Sequence, residues 1–233
     1  MRAKDFVNDN VAYHSQLNPQ AWSGTTLRPE VRDRLLEIAK IFVGYLEVDN
    51  FEVHDIVLTG SMANYNYTRF SDFDLHVVTD YSDLNCDDLA EAFYRAKKQI
   101  WNSEHDITIR GHECELYVED VREPPVSAGM YSILNNKWID SPDYDPPAVD
   151  NTAVNAKVRD LVKQIDMALT TANDPGDLKR IRDKIRKMRR SGLDSGGEFS
   201  TENLAFKILR NTGYMDRLHD AYLQQQDQQL SLK

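Results

Sequence analysis

Apolar positions along the chain fall into two periods that change near its middle. Behind Pro29, which suits a first helical turn, Val31, Leu35, Leu36, Ile38, Ala39, Phe42 and Leu46 recur at helical spacing and predict an amphipathic helix over 29–47. Val53 and then the apolar run Ile56–Leu58 lead toward Gly60, and the segment reads as a first strand over 51–58. Leu75, Val77 and Val78 mark a second strand, over 72–79. Leu89, Ala92, Phe93, Ala96 and Ile100 form one face of a second helix, with Asp87 placed to cap it. Ile107–Arg110 and Cys114–Val118 flank Gly111 as a hairpin, and alternation puts Glu113 and Glu115 on one face of the latter segment.

Beyond Asp120 the periodicity fades. Pro124-Pro125 breaks regular structure, and Tyr131–Leu134 is a short extended piece ahead of Trp138. Three prolines and several aspartates between Asp140 and Asn151 continue neither helix nor sheet. After them the pattern is helical. Val154, Val158, Leu161, Val162, Ile165 and Leu169 predict a helix over 152–171, and Leu178, Ile181, Ile185 and Met188 one over 177–190. Leu204, Ile208 and Leu209 follow the N-cap residue Ser200, Gly213 stops that helix, and Met215, Leu218 and Tyr222 begin another. The glutamine-rich tail Gln224–Gln229 is expected to fray. The predicted organisation is an irregular arm over 1–28, an α/β domain over 29–140, a linker over 141–151 and a helical domain over 152–233.

Composition narrows the function classes. At 233 residues the chain is long enough for a sizeable core, and no apolar run approaches the ~20 residues of a membrane span. The opening MRAKDFVNDN lacks a signal-like apolar stretch, and Cys86 and Cys114 sit in no metal-ligand spacing. Reduced thiols and a cytoplasmic location are the expectation. A net charge of −10 excludes broad wrapping of nucleic acid. One segment runs against it: Lys179–Arg190 holds eight basic residues and one acid. Its apolar stripe says helix. The cations either pair with the acidic domain as a solvated face or contact phosphate.

The candidate chemistry sits on the first two strands. Gly60-Ser61 ends the first, ten residues follow, and Asp72-Phe73-Asp74 opens the second. A turn without a side chain at Gly60 lets the main chain approach a ligand, and Ser61 adds a hydroxyl. Alternation points Asp72 and Asp74 to one face, where like charges call for a cation between them. A phosphate-holding turn beside a metal-holding pair suits a nucleoside triphosphate. His76 shares that face and reads as a packed or supporting residue rather than a catalytic one.

Gly-Ser, ten residues and Asp-x-Asp, each joined to an apolar run, resemble the nucleotidyltransferase superfamily of DNA polymerase β, the CCA-adding enzymes and the aminoglycoside nucleotidyltransferases. The resemblance covers residues 30–120. It implies a small mixed sheet flanked by helices, with a C-terminal helical domain and the nucleotide between the two. It further implies transfer of a nucleoside monophosphate to a hydroxyl with release of pyrophosphate, and Mg²⁺ or Mn²⁺ as the cofactor. Asp72 and Asp74 match the first two metal ligands. The third comes from a later strand in the family, where Glu115 matches best and Glu113 second. Lys207 and Arg210 match basic residues that many members direct at the triphosphate. The acceptor is left open among an RNA end, a small molecule and a protein. Where many members have a small residue, Arg and Gly after Gly-Ser, this chain reads Met62-Ala63-Asn64-Tyr65. The segments Leu17–Trp22 and Asn135–Pro142 are also similar to those of tailed-phage nucleotidyltransferase-like proteins. The alternative is an inactive nucleotide- or protein-binding module on the same fold. A metal-dependent glycosyltransferase also uses Asp-x-Asp but calls for neither the upstream Gly-Ser nor the later carboxylate.

Overall fold

A computed structural model describes residues 13–84, 87–123, 127–145 and 148–232, with the side chains of residues 83, 84, 87 and 88 outside it. Expectations for Cys86, for the cap at Asp87 and for the break at Pro124-Pro125 therefore fall outside the described residues. The fold class is the one predicted: a mixed α/β unit followed by a helical one. The described residues gather into two compact units, 13–145 and 148–232. Among the described residues no helix is long and apolar enough to cross a membrane.

The first unit is built on strands β3 (Asp55–Thr59), β4 (Phe73–Thr79), β5 (Thr108–Ile109), β6 (His112–Asp120), β7 (Met130–Ser132) and β8 (Lys137–Asp140), ordered β5-β6-β4-β3-β7-β8. β4 and β6 pair in parallel and every other neighbouring pair is antiparallel. A parallel pair needs a long crossover, here helix α2 (Asp87–Glu104). Phe73, Leu75 and Val77 of β4, with Cys114, Leu116 and Val118 of β6, are buried in one core with Val31, Leu35, Phe42 and Leu46 of α1 (Pro29–Leu46). Period-2 alternation then assigns Asp74, His76, Glu115, Tyr117 and Glu119 to the opposite face.

β6 would present an open hydrogen-bonding edge beyond its short pairing with β5. Two side chains close it. The Asn102 amide of α2 donates to Leu116 O and accepts from Leu116 N, both at 3.1 Å, and the Tyr81 hydroxyl donates to Val118 O at 2.8 Å. Asn102→Ala is expected to lower stability by about 1–2 kcal/mol, from two lost hydrogen bonds at a half-buried site, as read by urea unfolding. An unchanged midpoint would show that water replaces the amide without cost.

The arm differs from its expectation. Trp22–Ser23 (β1) and Thr26–Leu27 (β2) form a small hairpin, and Trp22 is among the largest fully buried side chains. Its ring stacks on Trp138 at 4.8 Å and meets Tyr131 edge-on at 5.0 Å, and its N–H donates to Met62 O at 2.8 Å. Two-residue strands are too short to show a period, so aromatic packing fixes this segment instead.

The helical unit holds α3 (Asn151–Thr171), α4 (Pro175–Gly196), α5 (Thr201–Asn211) and α6 (Tyr214–Leu230) around Val158, Leu161, Ile165, Leu178, Ile185, Leu204, Ile208 and Leu218. Two expectations fail here. α4 continues through Ser191-Gly192 instead of ending at 190, because Gly192 is a packing glycine: a Cβ there would stand 2.5 Å from Glu202 Cβ and 2.8 Å from Ser200 Oγ. The Gln-rich tail is helical to Leu230, and Gln225 donates from Nε2 to Ala172 O at 3.0 Å.

Candidate active site

The site forms where β3 turns into Gly60. Thr59 lies opposite Asp74 in the β3/β4 register, and Asp74 lies beside Glu115 in the β4/β6 register. Directly paired residues of neighbouring strands point to one face. Thr59, Asp74 and Glu115 therefore form a row across three strands. Asp74 and Glu115 are half-buried. Glu113 is exposed and pairs with Thr108 at the sheet edge, so Glu115 is the glutamate set beside Asp74.

Gly60 is held against this row. It has φ 72° and ψ −159°, and a Cβ built on it would fall 2.0 Å from Asp74 Oδ2 and 3.0 Å from Asp74 Cγ. Only glycine combines that backbone with that contact. Ser61 begins a turn of 3-10 helix ending at Ala63. Its hydroxyl donates to Ser71 Oγ at 2.7 Å, and Ser71 Oγ also accepts from Thr68 N at 2.8 Å. The His112 ring donates from Nδ1 to Ser71 O at 2.7 Å. Ser71, the residue before half-buried Asp72, thereby ties the Gly60-Ser61 turn to the start of β4.

A second row supports the first. The Tyr117 hydroxyl donates to Glu115 Oε2 at 2.7 Å. Its ring stacks on His76 at 4.6 Å, and the Lys98 ammonium stands 3.6 Å from its centroid. His76 Nδ1 donates to Glu119 Oε1 at 3.0 Å, and its Nε2 lies 3.0 Å from Thr59 Oγ1. Burial, the bond to Glu115 and the charges of Asp74, Glu115 and Asp72 all push the Tyr117 phenol well above its ordinary range, so it remains a donor. Burial pushes the Cys114 thiol up to about 12, with Asp74 and Glu115 adding to it. For Lys98 burial lowers the pKa, against the pull of Glu115, Glu119 and Asp74. A cavity of about 310 Å³ opens beside the row, lined in part by Asn102, His105, Glu113 and Glu115.

Lys207 and Arg210 lie on α5 of the helical unit, half-buried and exposed respectively. The burial that lowers the pKa of Arg189 is reinforced by the charge of Arg210. Sequence reasoning missed Tyr117, Lys98 and Glu119. Alternation along β6 puts Tyr117 and Glu119 on the face of Glu115, a readable signal, whereas Lys98 lies on a helix and gives none.

The donor set fits a hard divalent cation, being carboxylate oxygens throughout. Among the described residues, however, no three of His, Cys, Asp and Glu converge to hold a metal ion. The fit is therefore that of a cation held by one or two carboxylates, with water and substrate phosphate completing its shell.

No protein-family model matches the chain, and no curated protein matches it. A solved structure, the STING-associated CdnE c-di-GMP synthase from Capnocytophaga granulosa, aligns over 87% of this chain and 84% of that one at 12% identity, with a TM-score of 0.24. A score this low lends no weight to fold or function.

Proposed function

We propose that the chain is a metal-dependent nucleotidyltransferase, which moves a nucleoside monophosphate from a nucleoside triphosphate to a hydroxyl acceptor. The observation that carries this reading is the placement of Asp74 beside Glu115, with the Gly60 backbone against its carboxylate. The acceptor oxygen would bond to the α-phosphorus, its proton passing to a base, while the α–β bridging bond breaks and pyrophosphate leaves. One or two carboxylates drawn from Asp72, Asp74 and Glu115 would hold Mg²⁺ or Mn²⁺, with water and substrate phosphate completing its shell. When bound, the cation would screen the triphosphate and make the acceptor hydroxyl more acidic. Gly60 admits the main chain close to the phosphates, and the Ser61–Ser71 bond fixes the distance between that turn and Asp72. Lys207 and Arg210 are proposed as triphosphate contacts. The absence of a converged trio among the described residues favours the second reading, a nucleotide- or protein-binding module without turnover.

Incubation with each labelled triphosphate and Mg²⁺ or Mn²⁺, with and without RNA, separates the two. Pyrophosphate release that EDTA stops supports the transferase. Nucleotide binding without release supports the module.

Tyr117→Phe tests how Glu115 is held. The variant removes one hydroxyl and keeps the ring between His76 and Lys98. Side chains that orient metal ligands are worth about 10–100-fold in metal affinity or activity. A loss of that size is expected in Mn²⁺ affinity by calorimetry and in pyrophosphate release, with little change in melting temperature. Unaltered Mn²⁺ affinity and turnover would leave Tyr117 as packing alone.

A further inference from the structure

The basic helix α4 divides its cations into two sets. Arg180 pairs with Asp177 at 3.0 Å. Arg182 contacts His219 at 3.0 Å and the Tyr222 ring at 4.6 Å. Lys184 donates to Gln164 at 2.7 Å, and Arg189 donates to Asn203 at 3.2 Å while covering Phe206. The second set is Lys179, Arg186, Lys187 and Arg190. All are exposed, and none has an ion pair or hydrogen bond among the described residues.

This second set shares one face. At about 100° per residue, Lys179, Arg186 and Arg190 fall within one narrow stripe, with Lys187 at its margin. Leu178, Ile181, Ile185 and Met188 face the core from the other side. The stripe contains Asp183 and borders Asp194, so the cations outnumber the acids two to one. The local excess persists at larger scale: residues 146–233 hold 15 basic and 12 acidic side chains, in a chain of net charge −10.

We infer that this face of α4 binds the sugar–phosphate backbone of a nucleic-acid duplex, without reading its sequence. The chemistry of the face selects that partner over two others. Protein interfaces centre on buried aromatic or apolar anchors, and no apolar residue stands among the four cations. Single strands are held by bases stacked on aromatic rings, and α4 contains no aromatic residue. What remains is a row of flexible point charges along a rigid rod, which suits phosphates and confers little discrimination among bases. The inference is independent of catalysis at Asp74.

Fluorescence anisotropy of the full chain tests it. The probes are a labelled 20-base-pair RNA duplex, the matching DNA duplex, a single strand of equal length, and a polyglutamate peptide as the protein-like competitor. Four phosphate contacts give a salt slope of about −3.6, or roughly 10²-fold weaker duplex binding between 50 and 200 mM NaCl. Replacing Lys179, Arg186, Lys187 and Arg190 together by Gln should bring that slope close to zero and leave the melting temperature nearly unchanged, because the four side chains are exposed and make no ion pair or hydrogen bond among the described residues. Equal loss on RNA and DNA duplexes supports backbone contact at this face. The inference is overturned if the fourfold variant binds duplex as the parent does, if no duplex binds at 50 mM NaCl, or if single strand or polyglutamate displaces duplex preferentially.

Discussion

Asp74→Asn is expected to leave the chain folded and to reduce pyrophosphate release by at least ~10²–10³-fold, about 3–4 kcal/mol of transition-state stabilisation. Asparagine keeps the shape of the side chain against Gly60 and the strand pairing with Thr59 and Glu115. It removes the charge beside the Glu115 carboxylate. Relief of like-charge repulsion between the two carboxylates should hold the melting temperature constant or raise it. Loss of activity is thus expected without loss of stability. A purely structural aspartate would lose both. Turnover at the parent's rate would reject the catalytic assignment, and a fall in melting temperature with turnover retained would make Asp74 a fold residue.

Gly60→Ala carries the largest expected effect on stability. Two costs add. The backbone at φ 72° and ψ −159° lies in a region essentially reserved for glycine, worth about 1–3 kcal/mol. The new methyl would also fall 2.0 Å from Asp74 Oδ2, and overpacking of this kind typically costs another ~1–3 kcal/mol. A loss of about 2–6 kcal/mol is expected in urea unfolding, together with loss of turnover. A double-mutant cycle separates the costs. Truncation by Asp74→Ala takes away Oδ2 and Cγ and leaves Asp74 Cβ at 3.5 Å, an ordinary contact. In that background Gly60→Ala should retain only the backbone penalty. Equal losses in both backgrounds would mean that the carboxylate is not what the glycine accommodates.

Much of this arrangement is legible in the sequence. The strands around Gly60-Ser61 and Asp72–Asp74 announce themselves because each joins an apolar run to a polar end. Alternation alone sets Phe73 and Leu75 inward and Asp74 outward. The pairing of Asp74 with Glu115 is different. The offset between parallel strands depends on how far the crossover helix α2 carries the chain, a matter of packing at Tyr94 and Trp101 that no local pattern encodes. Lys98 is hidden for the same reason: its reach to Tyr117 follows from where α2 docks. β8 is also missed, since Lys137–Asp140 is four residues with Trp138 as its main apolar anchor. At α4 the error runs the other way. Gly192 reads locally as a stop, and only the contact with Glu202 explains why the helix runs on.

The closure of β6 by Asn102 and Tyr81 has a consequence for life at high concentration. A strand edge left open is a template on which a second copy can add its own strand, and repetition of that step makes fibres. Here the template is blocked by an amide that imitates a neighbouring peptide group, supplying one donor and one acceptor to Leu116. The guard costs no extra strand and leaves the face bearing Glu115 uncovered. It also gives α2 a share in solubility, since unravelling of its last turn, where Asn102 resides, would bare Leu116 to any passing chain.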